Sequence, residues 1–148
     1  MGNICRSPLA EGIFNAIIHN NKTSHLFETD SAGTSDYHIG ELSDPRTRNN
    51  AKTHGLQLVH KARQLKSEDF TDFDYLIAMD DSNLKSILEL NQNKESKVKI
   101  YKMRFFDPTN QNADVPDPWF GGEKGFEEVF QILERSCRSF YNSLCSEK

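Results

Sequence analysis

Arg6 stands among residues that together suit an anion: Gly2, Asn3, Ile4 and Cys5 precede it, and Ser7 and Pro8 follow. Small residues let a backbone curl with its N–H groups inward, and arginine offers a planar two-pronged cation. Pro8 then opens a helix whose N-terminus carries partial positive charge. Residues 2–7 therefore read as a cradle for a phosphate-sized oxyanion. A second chemical group is Asp117. Held between Pro116 and Pro118, it suits an acid that must meet one oxygen. Trp119, Phe120, Gly121 and Gly122 follow it, so aromatic rings can wall an entrance there. Asp107-Pro108 repeats the dipeptide without that sequel and reads as an ordinary turn.

These groups need elements to hold them. Ser7 can cap a helix starting at Pro8, with Ala10, Ile13, Phe14, Ile17 and Ile18 on one face, and the polar stretch 19–24 ends it. Residues 26–33 (LFETDSAG) alternate in part and close on Ala-Gly, which predicts a strand, and 34–41 form a loop. Asp44 and Pro45 start a second helix that His54-Gly55 stops. Residues 60–65 read as a loop and 67–70 as a short helix. The run 73–79 (FDYLIAM) is the most apolar strand candidate, as a parallel sheet covered on both faces requires. Asp80-Asp81-Ser82 caps the helix carrying Leu84, Ile87 and Leu88. After a turn at 91–96, residues 97–103 (KVKIYKM) alternate like a lysine-protected edge strand. The stretch 105–122 holds Pro108, Pro116 and Pro118 without periodicity, a long loop of the kind that is usually functional. Phe126, Val129, Phe130, Leu133, Cys137, Phe140, Tyr141 and Leu144 make one face of a last helix. Helices alternating with strands predict a single α/β domain, an open parallel sheet with helices on both faces and ligands at the carboxyl ends of its strands.

Composition narrows the chemistry. The 148 residues suffice for one domain with a proper core, and no run of 18 apolar residues is present to span a membrane. No secretory signal precedes the cradle. The net charge of −4 argues against nonspecific nucleic-acid binding, so anion recognition must be local. Cys5, Cys137 and Cys145 are odd in number and far apart, which fits a reducing cytoplasm better than a disulfide framework. Without a CxxC pair or a Cys/His cluster, no metal or other cofactor is expected.

Five blocks in order, GNICRSPLAEGIF at 2–14, DSAGT at 30–34, HKARQL at 60–65, FDYLIAMDDSN at 73–83 and DPWFGG at 117–122, make the chain resemble the low-molecular-weight protein tyrosine phosphatases over essentially its whole length. The resemblance implies a three-layer αβα fold on a parallel sheet of four strands, and a phosphate loop of Cys, five residues and Arg. It also implies an Asp general acid, a phosphocysteine intermediate and a phosphotyrosine-containing protein as substrate. On that pattern Arg6 is the loop arginine, and the nucleophilic cysteine falls on the position before Met1. The family's first strand, which lies inside the sheet, also falls upstream. The sequence is therefore expected to be N-terminally truncated, entered from an internal methionine, and inactive as written.

By the same resemblance Asn3, Ser7, Ser31 and His60 hydrogen-bond to one another and hold the loop. Tyr37, Trp119 and Phe120 stand at the substrate entrance, and Asp80 and Asn83 form the turn after the third strand, where helix capping is their simpler role. Cys5 matches the family's second loop cysteine, the redox partner of the nucleophile, and beside a cationic loop a lowered pKa is expected of it. Two other readings remain: a non-catalytic phosphotyrosine binder that keeps Arg6 without a thiolate, and an arsenate reductase, which lacks its further cysteines near 79–82. The oligomeric state is left open.

Overall fold

A computed structural model describes residues 5–91 and 96–146. Its first helix, α1 (Arg6–Asn20), buries Leu9, Ala10, Ile13, Phe14, Ile17 and Ile18, the face that spacings of three and four lay out. It starts two residues before the predicted position. Cys5 and not Ser7 is the N-cap, and no side chain caps the end. Pro8 is tolerated in the third helical position because first-turn N–H groups have no acceptor within the helix. Helix α2 (Pro45–Thr53) begins as the sequence predicts, with Asp44 accepting the Arg46 N–H, and ends at His54 before Gly55 at φ +79. Two shorter helices follow, α3 (Asp69–Asp72) and α4 (Asp81–Leu90), the latter capped by Asp80 through the Asn83 N–H. The last helix, α5 (Gly122–Ser146), carries the predicted apolar face.

Strands β1 (Tyr75–Ala78) and β2 (Lys99–Lys102) pair in parallel, Tyr75 opposite Lys99. Side chains of β1 divide between two apolar layers. Tyr75 and Ile77 pack on the larger core built from α1, α2 and α5, while Leu76 and Ala78 join Phe70, Ile87 and Ile100 on the α4 side. That division is why 73–79 reads as continuously apolar: both faces are covered.

The sequence reading needs two corrections. Residues 24–26 coil into a 3₁₀ turn, and the chain beyond makes one bridge, Gly33 to Gln64, in place of the predicted strand at 26–33. Among the described residues the sheet therefore has two strands, one fewer than the three expected once the family's first strand is placed upstream. A strand needs a ladder partner, and among the described residues this segment makes only that bridge; it and β1 both line a cavity of about 620 Å³. The second correction is at Asp107, which is a buried hub and not a bare turn. Its carboxylate accepts from Arg104 Nε and Arg135 Nε, both at 2.8 Å, and from the Thr109 N–H at 2.9 Å.

Burial pushes the Asp107 carboxyl up, but Arg135, the Thr109 N–H and Arg104 outweigh it and hold the pKa at about 2, against an ordinary 3.8. A depressed carboxyl stabilises fully above its unfolded pKa and loses that contribution as pH falls through the folded one. Urea unfolding should therefore show about 2 kcal/mol lost through this group between roughly pH 4 and pH 2. Asp107→Asn should cost about 3 kcal/mol at pH 7, because two arginines lose their carboxylate, and should flatten that stretch of the pH curve.

Candidate active site

Arg6 opens α1 and is 7% exposed. Its Nη1 donates to Asp80 Oδ2 at 2.8 Å and to the Val115 carbonyl at 2.7 Å. Nε and Nη2 have no partner among the described residues, so one edge of the fork stays available. The second oxygen of Asp80 accepts the N–H of the buried Asn83 at 2.7 Å. Burial raises the Asp80 carboxyl, yet the Asn83 N–H and Arg6 bring it below its ordinary range. Asp80 thus caps α4 and anchors Arg6 at once.

Asp117 is exposed and caps the 3₁₀ turn Pro118–Phe120, its Oδ1 accepting the Trp119 N–H at 3.0 Å. The turn is clamped from α2. The Arg46 guanidinium lies 4.7 Å from the Trp119 ring centre and 4.9 Å from that of Phe126, reaches the Trp119 carbonyl at 3.4 Å, and is held by Asp44. Glycine after the aromatics has a steric reason: a Cβ on Gly121 would lie 3.0 Å from the Gly125 Cα at the start of α5. Sequence reasoning missed Arg46. Its only signal is Asp-Pro-Arg at a helix start, where an arginine ordinarily points to water.

Ser31 and His60 do come together, through a residue the sequence reading did not single out. Ser31 Oγ donates to Glu11 Oε1 at 2.7 Å, and His60 Nδ1 lies 3.2 Å from that oxygen and 3.4 Å from Asp30 Oδ1. Burial raises the Glu11 carboxyl, and the Ser31 hydroxyl and His60 only partly offset it. Glu11, Asp30 and His60 each bring one ligand-type atom within 4.8 Å of the others. Hydrogen bonds from Ser31 to Glu11 and from Arg63 to Asp30 already engage both carboxylates. Glu11 sits on α1 next to the face that packs inward, so its role depends on a fold contact that spacing cannot show.

One cavity is lined by Cys5, Arg6, Ser7, Asp117 and Trp119, with Tyr37, 80% exposed, at its rim. Gly2, Asn3 and Ile4, and the Phe120 side chain, lie outside the described residues. Cys5 corrects the sequence reading. Burial pushes its thiol up, Asp44 and Asp117 push further, and the Thr47 hydroxyl and Arg46 oppose them only in part. The expected cationic influence is outweighed because burial is the largest cause and Asp44 and Asp117 add to it. Taken together, the cavity offers a guanidinium edge, a carboxyl on a clamped turn, and aromatic side chains at its lining.

The family profile described as low molecular weight phosphotyrosine protein phosphatase matches residues 1–148. The human low molecular weight phosphotyrosine protein phosphatase is 42% identical over 141 residues, covering 95% of this chain and 89% of the relative. A low molecular weight protein-tyrosine-phosphatase of Streptomyces coelicolor is 41% identical, over 90% of this chain and 82% of its own. Among solved structures, a protein tyrosine phosphatase of Entamoeba histolytica with Hepes in its active site superposes with a TM-score of 0.94 at 41% identity, covering 99% of this chain and 94% of that one. A Drosophila arginine phosphatase gives 0.88 at 29% identity, covering 97% and 93%.

Trp119 is the single tryptophan, so its emission reports the clamp. Arg46→Ala should red-shift that emission and raise acrylamide quenching about twofold, because the guanidinium covers one face of the ring; an unchanged spectrum would mean the stack does not hold the turn. With iodoacetamide at pH 7.5, the exposed Cys145 should react first, while the rate at Cys5 should still be climbing above pH 9, past the ordinary thiol value of 9.0.

Proposed function

The chain belongs to the low molecular weight phosphotyrosine protein phosphatase family, and from that membership we infer that its cavity is built for phosphotyrosine in a protein substrate. The Arg6 fork carries the reading: a buried guanidinium, fixed through one nitrogen, shares a cavity with Asp117. Its Nε and Nη2 can take two phosphate oxygens side by side, and Trp119 and Tyr37 can flank the phenol ring. In the complete reaction a thiolate at the position before Met1 attacks phosphorus. The S–P bond forms, the bond to the phenol oxygen breaks, and protonated Asp117 gives that oxygen its proton. Asp117 then takes a proton from the water that attacks the phosphocysteine, which releases inorganic phosphate and restores the thiolate.

Residues 1–148 by themselves carry the anion-binding half of this machinery. Cys5 does not stand in for the nucleophile, because burial holds its thiol protonated and a sulfur five residues along the loop is out of line with the leaving oxygen. Alone, this stretch acts as a binder of phosphate and phosphotyrosine without turnover. Arsenate reduction finds no support: Cys137 is buried with its thiol pushed up to about 12, and Cys145 stands near the far end of α5. The free thiols favour a reducing, cytoplasmic setting. Among the described residues no helix is long and apolar enough to cross a membrane.

Two polypeptides test the reading: residues 1–148, and the same chain preceded by an apolar strand ending in cysteine. The longer one should hydrolyse a phosphotyrosine peptide at least about 10⁴-fold faster. Asp117→Asn in it should lower kcat by roughly 10²–10⁴. Comparable turnover by residues 1–148, or preference of the longer chain for a phosphoarginine peptide, would overturn it.

A further inference from the structure

Asp117 is held from both sides by anchors that come from distant parts of the chain. Two residues before it, Val115 is fixed by its N–H on the Met79 carbonyl at 2.9 Å and by its carbonyl, which accepts from Arg6 at 2.7 Å. Two residues after it, Trp119 is fixed by Arg46. Between these anchors Pro116 and Pro118 restrict the backbone, so the Asp117 carboxyl keeps little more than its own side-chain rotation. One hydrogen bond stops that rotation, from the Trp119 N–H to Oδ1 at 3.0 Å. The other oxygen, Oδ2, has no hydrogen-bond partner among the described residues.

An exposed arginine is ordinarily mobile and contributes little to stability. Arg46 differs because its guanidinium plane is fixed. Nε and Nη2 meet the two oxygens of Asp44 at 3.2 and 3.1 Å, a paired contact that sets the orientation of the fork. Asp44 is itself buried and caps α2. The plane so held lies 4.7 Å from the Trp119 ring centre and 4.9 Å from that of the buried Phe126, and Nη1 reaches the Trp119 carbonyl at 3.4 Å. The far end of the turn is tied to α5 as well, the Gly125 N–H donating to the Gly121 carbonyl at 3.1 Å.

These contacts form one chain from Asp44 through Arg46 and Trp119 to Asp117. A proton donor has to meet one oxygen at hydrogen-bond distance, and a displacement of about 1 Å can cost on the order of 100-fold in rate. The Trp119 N–H decides which Asp117 oxygen is occupied, and Arg46 decides where that N–H stands. Loss of Arg46 would leave the turn attached at Val115 and at Gly121 and free in the middle, where the carboxyl is.

We propose that Arg46 is a positioning residue for the proton donor: by holding Trp119 it fixes the N–H that occupies Oδ1 of Asp117, and so leaves Oδ2 as the oxygen that delivers the proton. The proposal rests on the reading of Asp117 as general acid. As the bond between phosphorus and the phenol oxygen breaks, its electron pair stays on that oxygen, which takes the proton from Oδ2 and leaves Asp117 a carboxylate. Arg46 therefore acts on departure of the leaving group and not on phosphate binding by Arg6.

The test uses the longer, cysteine-containing polypeptide and two substrates. Phenyl phosphate releases a phenol about as weakly acidic as tyrosine, with a pKa of about 10, and needs the proton, whereas dinitrophenyl phosphate releases an anion stable without one. Arg46→Ala should lower kcat/KM about 10- to 100-fold for phenyl phosphate and no more than about threefold for dinitrophenyl phosphate. Its Tm should fall by less than about 4 °C. In the Asp117→Asn background the same substitution should change the phenyl phosphate rate less than about twofold, because the group it acts through is gone. Arg46→Lys keeps the charge but not the plane and should stay at least about fivefold below the parent. In residues 1–148, Arg46→Ala should cut the pH-dependent displacement of the Trp119 amide resonance by about half or more, the amide having lost its carboxylate. Equal losses on both substrates, an additive double variant, full rescue by lysine or an unchanged Trp119 amide would each overturn the proposal. Asp117→Asn alone separates it from the reading beneath it. A selective loss on phenyl phosphate there keeps the acid reading whatever Arg46 does, and no selectivity removes that reading and this proposal together.

Discussion

A guanidinium buried at the first residue of a helix sits against like partial charge, so Arg6 is held only where fixed acceptors meet it. Those acceptors are the Asp80 carboxylate after β1 and the Val115 carbonyl in the proline loop. One charge therefore ties together the start of α1, the cap of α4 and the segment that leads to Asp117. Val115 is pinned again by its N–H on the Met79 carbonyl at 2.9 Å. Because Asp117 follows Val115 by two residues, the acid cannot leave the neighbourhood of the arginine without breaking buried hydrogen bonds.

Two further ties complete the frame. Arg46 spans Asp44, Trp119 and Phe126, joining α2, the acid turn and α5 by stacking on two rings. Glu11 gathers Ser31 and His60 against α1. Around the cavity, charge is distributed unevenly. Arg6 keeps a free edge for an anion, while Asp44 and Asp117 press Cys5 toward its protonated form. The charge at Arg6 and the titration of the Cys5 thiol are thus set by different neighbours within one small region.

Much of the fold could be read before any coordinates. Apolar spacing marked the buried faces of α1 and α5, Asp44-Pro45 and Asp80 marked helix starts, and 73–79 marked the covered strand. The misses share a cause. The segment at 26–33 has a strand-like pattern, but a strand exists only if a neighbour completes its ladder, and among the described residues only the Gly33–Gln64 bridge forms. Ser7 looked like a cap because Pro8 usually opens a helix, yet the pull of Asp80 and Val115 on Arg6 accompanies an earlier start. Around the cavity, motif blocks singled out Arg6, Asp117, Ser31 and His60 before any contact was known, whereas Arg46 and Glu11 look like any exposed charge on a helix until their partners are known.

What the sequence by itself determined is local and short in range: helix faces, caps and turns set by neighbours within about four residues, the Asp117-Pro118 turn among them. Tertiary structure alone decided how far-separated charges pair. It turned Asp107 from a turn residue into the anchor of Arg104 and Arg135, and it set the Cys5 thiol among carboxylates. It also paired β1 with β2, a strand more than twenty residues further along. Each of these depends on groups tens of residues apart, and both burial and Coulomb interaction act through space, where chain order carries no distance.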